Sequence, residues 1–434
     1  MFLLWLPSLP MTIQAVPAAG PAVDGRRRAL VAASAGNAME WYDFALYGGS
    51  ATVIAAVLTP GGWAGVTTVF AVFAMSCLFR PLGSLIVGVR ADRSGRRPAL
   101  AATILLMAGA TGAIGLLPSW SVIGVAAPLS LLGLRAVQSF SAGGEIGVSV
   151  AYLTEFSPAA RRGTYGGWYL STVGVGLAAG LGATASVAAL LDPDALLAWG
   201  WRIPFLIALP LGAVGVYVRR RLSESPLYVP AASGQRVRPA RVLGEHLPAI
   251  RRCFVIAAAY SAAFNVWFLF LPSYVTATGG SSLARSLFSA LTGLVAAAFA
   301  APVFGRVSDG VGRRPVLMGA TAALAAAVVP LYLWMLGGST AALLAGSVVV
   351  GVLMGAFVIP AFFAEQFPVR VRATGLGLAY GLGSAVVGGT APLLATVLSR
   401  QAPAFLVPCY LGLWAAAALV AVVRSPETLS AAGP

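Results

Sequence analysis

Five ionisable side chains lie where a bilayer tolerates them only for a reason. Glu40, Asp43, Arg80, Arg135 and Glu145 all fall inside long apolar stretches. A charge in hydrocarbon costs at least about 2.5–3.5 kcal/mol on insertion scales, so each needs a partner, a wet cavity or a task. Their spacing is helical. At about 100° per residue, Gly36, Glu40, Asp43 and Tyr47 share one face, and Arg135, Gln138, Ala142, Glu145 and Ser149 share another. With about 1.5 Å of rise per residue from the flanking charges, Glu40, Arg80 and Glu145 reach one level, and Asp43 and Arg135 lie further out. This predicts Arg80 among Glu40 and Glu145, and Arg135 nearer Asp43.

Three carboxylates against two guanidinium groups leave one negative charge, which a single proton cancels. That is proton-coupling chemistry, with Glu145 and Glu40 as the first sites and Asp43 as the third. Arg135 suits a solute carboxylate, with Gln138, Tyr47 and Arg80 as further solute contacts. The alternative is that the charges only hold a helix bundle together as buried ion pairs. Arg80, just before Pro81 at an expected helix irregularity, invites that reading most. Trp267 shares an aromatic face with Tyr260, Phe264 and Tyr274. Such a face can hold a quaternary ammonium by cation–π attraction, or it can simply meet lipid and interface.

The elements that must position these groups are membrane helices. Hydrophobic residues make up 59% of the chain and charged residues 9%, against roughly 25% charged in a soluble domain. Mean hydropathy is +0.88. Twelve stretches are long enough to span: 29–58, 65–89, 99–117, 122–153, 163–191 and 200–219, then 252–277, 285–307, 315–335, 340–363, 373–399 and 403–423. The basic residues, all arginine, crowd alternate loops, and only Arg202, Arg285 and Arg400 fall on the other side. By the positive-inside rule both termini are cytoplasmic, in a multi-pass protein of the plasma (inner) membrane. The net charge of +15 is therefore a matter of topology, not a nucleic-acid footprint. The proline-rich start lacks the positive n-region of a signal peptide and is expected to be disordered.

Two motifs repeat in the same order. Gly88-Val89-Arg90-Ala91-Asp92-Arg93-Ser94-Gly95-Arg96-Arg97-Pro98 returns half a chain later as Gly305-Arg306-Val307-Ser308-Asp309-Gly310-Val311-Gly312-Arg313-Arg314-Pro315. Glu155-x-x-Pro158-x-x-x-Arg162-x-Thr164 returns as Glu365-x-x-Pro368-x-x-x-Arg372-x-Thr374. The expected architecture is an all-α membrane protein with twelve transmembrane helices in two pseudo-symmetric six-helix bundles. Residues 1–28 form a disordered segment, 29–219 the first bundle, 220–251 a cytoplasmic linker, 252–423 the second bundle and 424–434 a cytoplasmic tail. Asp92 and Asp309 lie next to helix ends, where the N-terminus of a neighbouring helix favours a carboxylate by about 0.3–1 kcal/mol. Glu155 is placed to accept Arg93 or Arg96.

The repeated turns resemble the signature loop of the major facilitator superfamily. Gly36-Asn37-Ala38-Met39-Glu40-Trp41-Tyr42-Asp43-Phe44, Phe79-Arg80-Pro81-Leu82-Gly83, Gln138-Ser139-Phe140-Ser141-Ala142-Gly143-Gly144-Glu145 and Gly200-Trp201-Arg202-Ile203-Pro204-Phe205 resemble its metabolite:proton symporters. The runs 37–44 and 201–217 are most similar to the proline/betaine transporters among them. The resemblance implies alternating access about a cavity lined by spans 1, 4, 7 and 10, with proton-coupled import of a small organic solute such as proline or betaine. It also implies a gate at the inner ends. Asp92 with Arg96 would latch the halves, with Glu155 beside them and Asp309, Arg313 and Glu365 at the repeated positions. Import of a di- or tricarboxylate, 2-oxoglutarate or shikimate is the alternative, and drug-type export is a second. Export usually goes with a Gly-Pro element in span 5, which here has no proline. Ser84, Ser139 and Gly381 depart from the family pattern. The long C-terminal coiled coil of some osmosensing members is absent, which weakens a sensing role.

Other classes find no support. Cys77, Cys253 and Cys409 sit in separate apolar segments without disulfide or metal spacing. The single histidine, His246, lies in the linker, so no histidine relay crosses the membrane. No nucleophile–base set, metal cluster or phosphate loop is present, which argues against an enzyme, ATP-driven transport and any cofactor. The expected partners are the solute, the proton and the bilayer, with the chain acting as a monomer and binding no nucleic acid.

Overall fold

The computed structural model describes residues 23–227, 239–278, 280–401, 403 and 405–429. Most of the expected disordered start and the end of the tail lie outside them. Twelve helices follow in order: α1 (Val23–Gly49, continued by Ala51–Leu58), α2 (Gly62–Cys77, continued by Arg80–Ser94), α3 (Arg96–Gly115), α4 (Ala126–Phe156), α5 (Arg162–Leu190) and α6 (Arg202–Arg220). Then come α7 (Pro239–Asn265, Val266–Phe270, Leu271–Ala277), α8 (Leu283–Val311), α9 (Arg313–Leu336), α10 (Thr340–Gly355, Ile359–Glu365), α11 (Arg372–Leu382, Gly383–Gly388, Ala391–Gln401) and α12 (Leu406–Val423). Helices are forced here, because a bilayer offers the backbone no partner and every N–H and C=O must be satisfied internally.

Ten of the twelve are long and apolar enough to cross a membrane on composition alone. The two that fall short are α1 and α4, which carry Glu40, Asp43, Arg135 and Glu145. Their polar faces lower their hydropathy, and neighbouring helices cover them. Two breaks have a proline as cause: α2 is interrupted ahead of Pro81 and α10 ahead of Pro360. A proline has no N–H to give to the preceding turn. Both α7 and α11 pass through a π-helical turn at mid-length, and Asn265 Nδ2 donates to the Gly388 carbonyl between them at 2.8 Å. The expected linker is shorter than 220–251, since α7 is already helical at Pro239. Residues 244–248 of this helix are mostly exposed, and burial begins at Ala249 and Ile250.

Packing repeats with the sequence. Helix α1 packs on α5, α2 on α4, and α3 on α6; six helices later α7 packs on α11, α8 on α10, and α9 on α12. Helix α4 also packs on α11, but the largest contacts between the bundles are two equivalent ones, α2 with α11 and α5 with α8. At the second, Gly163 and Gly305 face each other so closely that a Cβ on either would strike the other's backbone. Gly95 and Gly312, one in each repeated turn, take φ of 100° and 107°. That left-handed bend reverses the chain between α2 and α3 and between α8 and α9, and it explains why both turns hold glycine there.

Candidate functional site

Six embedded charges, not five, form three ion pairs inside the first bundle. Glu145 is paired with Arg219, from the last turn of α6, which donates to both carboxylate oxygens, to Oε2 at 2.9 Å. Ser149 and Thr103 also donate to Glu145. Arg219 is fully buried and reaches the Ala32 carbonyl on α1. A Cβ at Gly36 would collide with both partners, so glycine makes room for the pair. Of the expected placement of Arg80 among Glu40 and Glu145, the Glu40 contact stands and the Glu145 contact is corrected, and so is the surplus negative charge. In sequence Arg219 reads as part of the basic run with Arg220 and Arg221. In the fold, the helix turns it inward between α1, α3 and α4, and three carboxylates balance three arginines.

The second pair is the one expected. Arg135 donates to Asp43 Oδ2 at 2.8 Å, and Thr111 and Gln138 donate to the other oxygen. Gln138 in turn accepts from Arg135 at 2.8 Å. The guanidinium lies 4.2 Å over the Tyr47 ring, whose hydroxyl donates to the Val69 carbonyl at 2.7 Å. Arg135, Gln138 and Tyr47 thus form a closed buried shell around Asp43, and they do not reach open space as solute contacts in this conformation.

The third pair does. Arg80 approaches Glu40 at 3.3 Å, and their side chains remain 21% and 12% exposed. Both line a cavity between the bundles. Its first-bundle wall is Glu40, Trp41, Phe44, Phe73, Cys77 and Arg80; its second-bundle wall is Tyr260, Ser261, Phe264, Asn265, Tyr380, Ser384 and Gly389. The lining helices are α1, α2, α7 and α11, not 1, 4, 7 and 10. The ion pairs turn the polar face of α4 into its own bundle, and α10 borders a different cavity. Trp41 stands 5.1 Å from Phe264 and 5.4 Å from Phe44, and Phe44 5.6 Å from Phe73, ring centroid to centroid. Tyr260 and Phe264 of the expected aromatic face reach the cavity. Trp267 is buried behind it at 2% exposure.

At the end of the molecule that carries the repeated turns, each aspartate caps a helix of the opposite bundle. Asp92 accepts from the Ala373 and Thr374 backbone N–H groups at 3.3 and 2.9 Å and from the Thr374 hydroxyl at 2.6 Å. Asp309 accepts from Gly163 and Thr164 N–H at 2.8 Å each and from the Thr164 hydroxyl at 2.6 Å. These are unpaired first-turn donors of α11 and α5, where the helix dipole favours a carboxylate. Arg96 pairs with Asp92 and, at 3.1 Å, with Glu155. Arg313 pairs with Asp309 at 2.7 Å and with Glu365 at 3.4 Å.

A transporter family model, "Sugar (and other) transporter", matches residues 28–248. The proline/betaine transporter of Escherichia coli K12 is 32% identical over 93% of this chain and 84% of its own length. The ectoine/proline transporter ProP of Corynebacterium glutamicum is 34% identical over the same shares. The chain belongs to the sugar (and other) transporter family of the major facilitator superfamily. Solved structures agree in fold. The proton:xylose symporter XylE superposes with a TM-score of 0.80 at 16% identity, covering 94% of this chain and 99% of that one. The human organic anion transporter MFSD10 superposes with 0.63 at 17% identity, covering 92% and 99%.

The major facilitator fold explains why the latches are doubled, since each bundle supplies a carboxylate that the other receives. This member is a transporter and not an enzyme. Sequence reasoning missed two of its structural carboxylates. Glu224 accepts from Arg96 and Arg97 N–H at 2.8 and 3.2 Å, and Glu427 accepts from Arg313 and Arg314 N–H at 3.0 and 2.9 Å. They tie the first turns of α3 and α9 to the segments after α6 and α12. The signal was a third repeat, Arg221-x-x-Glu224-Ser225 and Arg424-x-x-Glu427-Thr428, directly after the last helix of each half.

Proposed function

We propose that this transporter imports a small zwitterionic solute such as proline, betaine or ectoine together with a proton. Its latch end and both termini would face the cytoplasm of a cell whose plasma membrane it spans. The observation that carries the reading is the loose Arg80–Glu40 pair on the wall of an aromatic cavity. A solute carboxylate suits Arg80, and a solute ammonium suits the faces of Trp41 and Phe264. Once Arg80 turns to the solute, Glu40 loses its guanidinium. A carboxylate stripped of its partner in so dry a place is costly, and a proton taken from the cavity relieves it. Occupancy of the two ligands is then linked, which is the essence of symport.

Glu40 leads the three carboxylates because it alone borders the cavity. Asp43 and Glu145 are held by several donors each. The curated names of the relatives, proline/betaine and ectoine/proline transporters, favour the same solutes. The test is uptake into proteoliposomes under an imposed pH gradient, with proline, betaine, ectoine and 2-oxoglutarate in parallel. Accumulation of a zwitterion that Glu40→Gln converts to gradient-independent equilibration is the expected result. Full concentrative uptake by Glu40→Gln would move the coupling site elsewhere.

A further inference from the structure

We propose that Tyr260 and Tyr380 form an internal seal in the solute pathway, separate from the ion-pair latches. Both border the same two cavities. On one side lies the cavity of Glu40 and Arg80. On the other lies a second, smaller cavity, walled by Ile146, Val150 and Leu170 of the first bundle and by Ile359, Phe363 and Leu376 of the second. No charged side chain lines it. It sits toward the latches, since Leu376 follows Arg372 by one turn and Phe363 precedes Glu365 by two residues. Tyr380 stands eight residues beyond Arg372 on the same helix, about 12 Å at helical rise.

A solute moving from the first cavity to the latch end must therefore pass the two tyrosines, then an apolar chamber, then the latch. Opening the latch wets only the chamber. The tyrosines still separate it from Glu40, so the cavity carboxylate is not exposed to both sides at once. Tyr260 is backed by Phe264 at 6.2 Å and Phe357 at 5.6 Å. Phe357 occupies the break in α10, so a bend there draws on the same packing that holds the seal.

The first arm of the test uses the full chain in proteoliposomes, without any solute, so that it does not depend on which solute is carried. The Tyr260→Ala/Tyr380→Ala double variant with Asp92→Asn is expected to dissipate an imposed pH gradient at least about tenfold faster than Asp92→Asn alone. The double Phe variant in the same Asp92→Asn background, which keeps the rings, should leak no faster than Asp92→Asn alone. A second arm fills the chamber. Val150→Trp should retain solute binding and lose uptake. An unchanged leak in a well-folded Ala variant, or normal uptake by Val150→Trp, would overturn the seal.

Discussion

The latch closed by Asp92 and the latch closed by Asp309 make the same three hydrogen bonds, yet they are not equal. Around Asp92, two further bonds cross between bundles: Arg96 donates to the Val369 carbonyl at 2.7 Å, and Arg372 to Glu155 at 3.3 Å. Around Asp309, the further crossing contact is Arg162 to Glu365 at 3.7 Å. The same inequality recurs at mid-depth. Among the described residues, all three embedded ion pairs belong to the first bundle, and the second contributes aromatic and small polar walls. A duplicated scaffold thus keeps its hinges in both halves and concentrates its charge in one.

The most severe way to break this comparison is at Arg219. Removing one partner of a buried ion pair leaves an uncompensated charge and costs about 3–5 kcal/mol. Arg219→Met should lower thermal stability of the purified protein accordingly, and Gly36→Leu, which occupies the same space, should also be severe. At Val422, buried in the corresponding turn of α12, a truncation to Ala should cost less than half as much. Equal losses at the two positions would mean that the bundles bear load alike. Glu145→Gln/Arg219→Met should recover much of the loss, because no charge is then left alone.

Next in size is the latch itself. Asp92→Asn weakens charge-assisted bonds worth about 1.5–3 kcal/mol each in favourable settings, and its latch has more at stake across the interface. It should reduce uptake about tenfold or more and raise accessibility from the latch end. Asp309→Asn should reduce uptake about threefold. Matched effects would show that the additional Arg96 and Arg372 bonds carry no share of closure.

How much of this was legible in the sequence follows from which forces are local. Twelve spans and two bundles came from composition and the repeated turns, because a bilayer imposes length and a repeat imposes symmetry. The Arg135–Asp43 pair was legible from helical phase and rise. Arg219 was not, because its sequence neighbours are solvated arginines and only the packing of α6 against α1, α3 and α4 turns it inward. The cavity's lining helices were also misjudged. Helical phase gives the polar face of α4 but not the neighbour it turns toward, and here the ion pairs draw it into its own bundle. Trp41 and Phe44 bring aromatic surface to the wall from the first bundle, which the aromatic stripe of α7 does not announce.

A smaller effect sharpens the division of labour at the cavity. If both bundles supply aromatic surface and the first alone supplies charge, Phe264→Ala should weaken binding of a quaternary ammonium solute by about 0.5–2 kcal/mol, read as a rise in its KM with coupling intact. Trp41→Ala should do at least as much. Arg80→Lys should instead discriminate by the solute carboxylate, since an ammonium cannot reproduce the guanidinium fork. A loss of proton coupling in Phe264→Ala would contradict the assignment of coupling to the first bundle.

The smallest expected effect concerns the third repeat. Burial pushes Glu427 up, but the N–H groups of Leu429, Arg313, Arg314 and Thr428 outweigh it and hold the carboxyl below its ordinary value. A carboxylate held down in the fold contributes stability above its ordinary pKa and loses it as the pH falls through the lowered value. Glu427→Gln should therefore destabilise the second bundle at pH 7 by about 0.3–1 kcal/mol, the worth of a charge at a helix start. Once the pH has fallen below that lowered value, the variant and the wild type should converge in thermal unfolding. If the gap persists unchanged into acid, the contribution of Glu427 lies in its packing and hydrogen-bond geometry, which Gln disturbs at any pH, and not in its charge. The same substitution at Glu224 makes the comparison complete, because Glu224 caps α3 with the same two-donor arrangement, next to the heavier of the two latches.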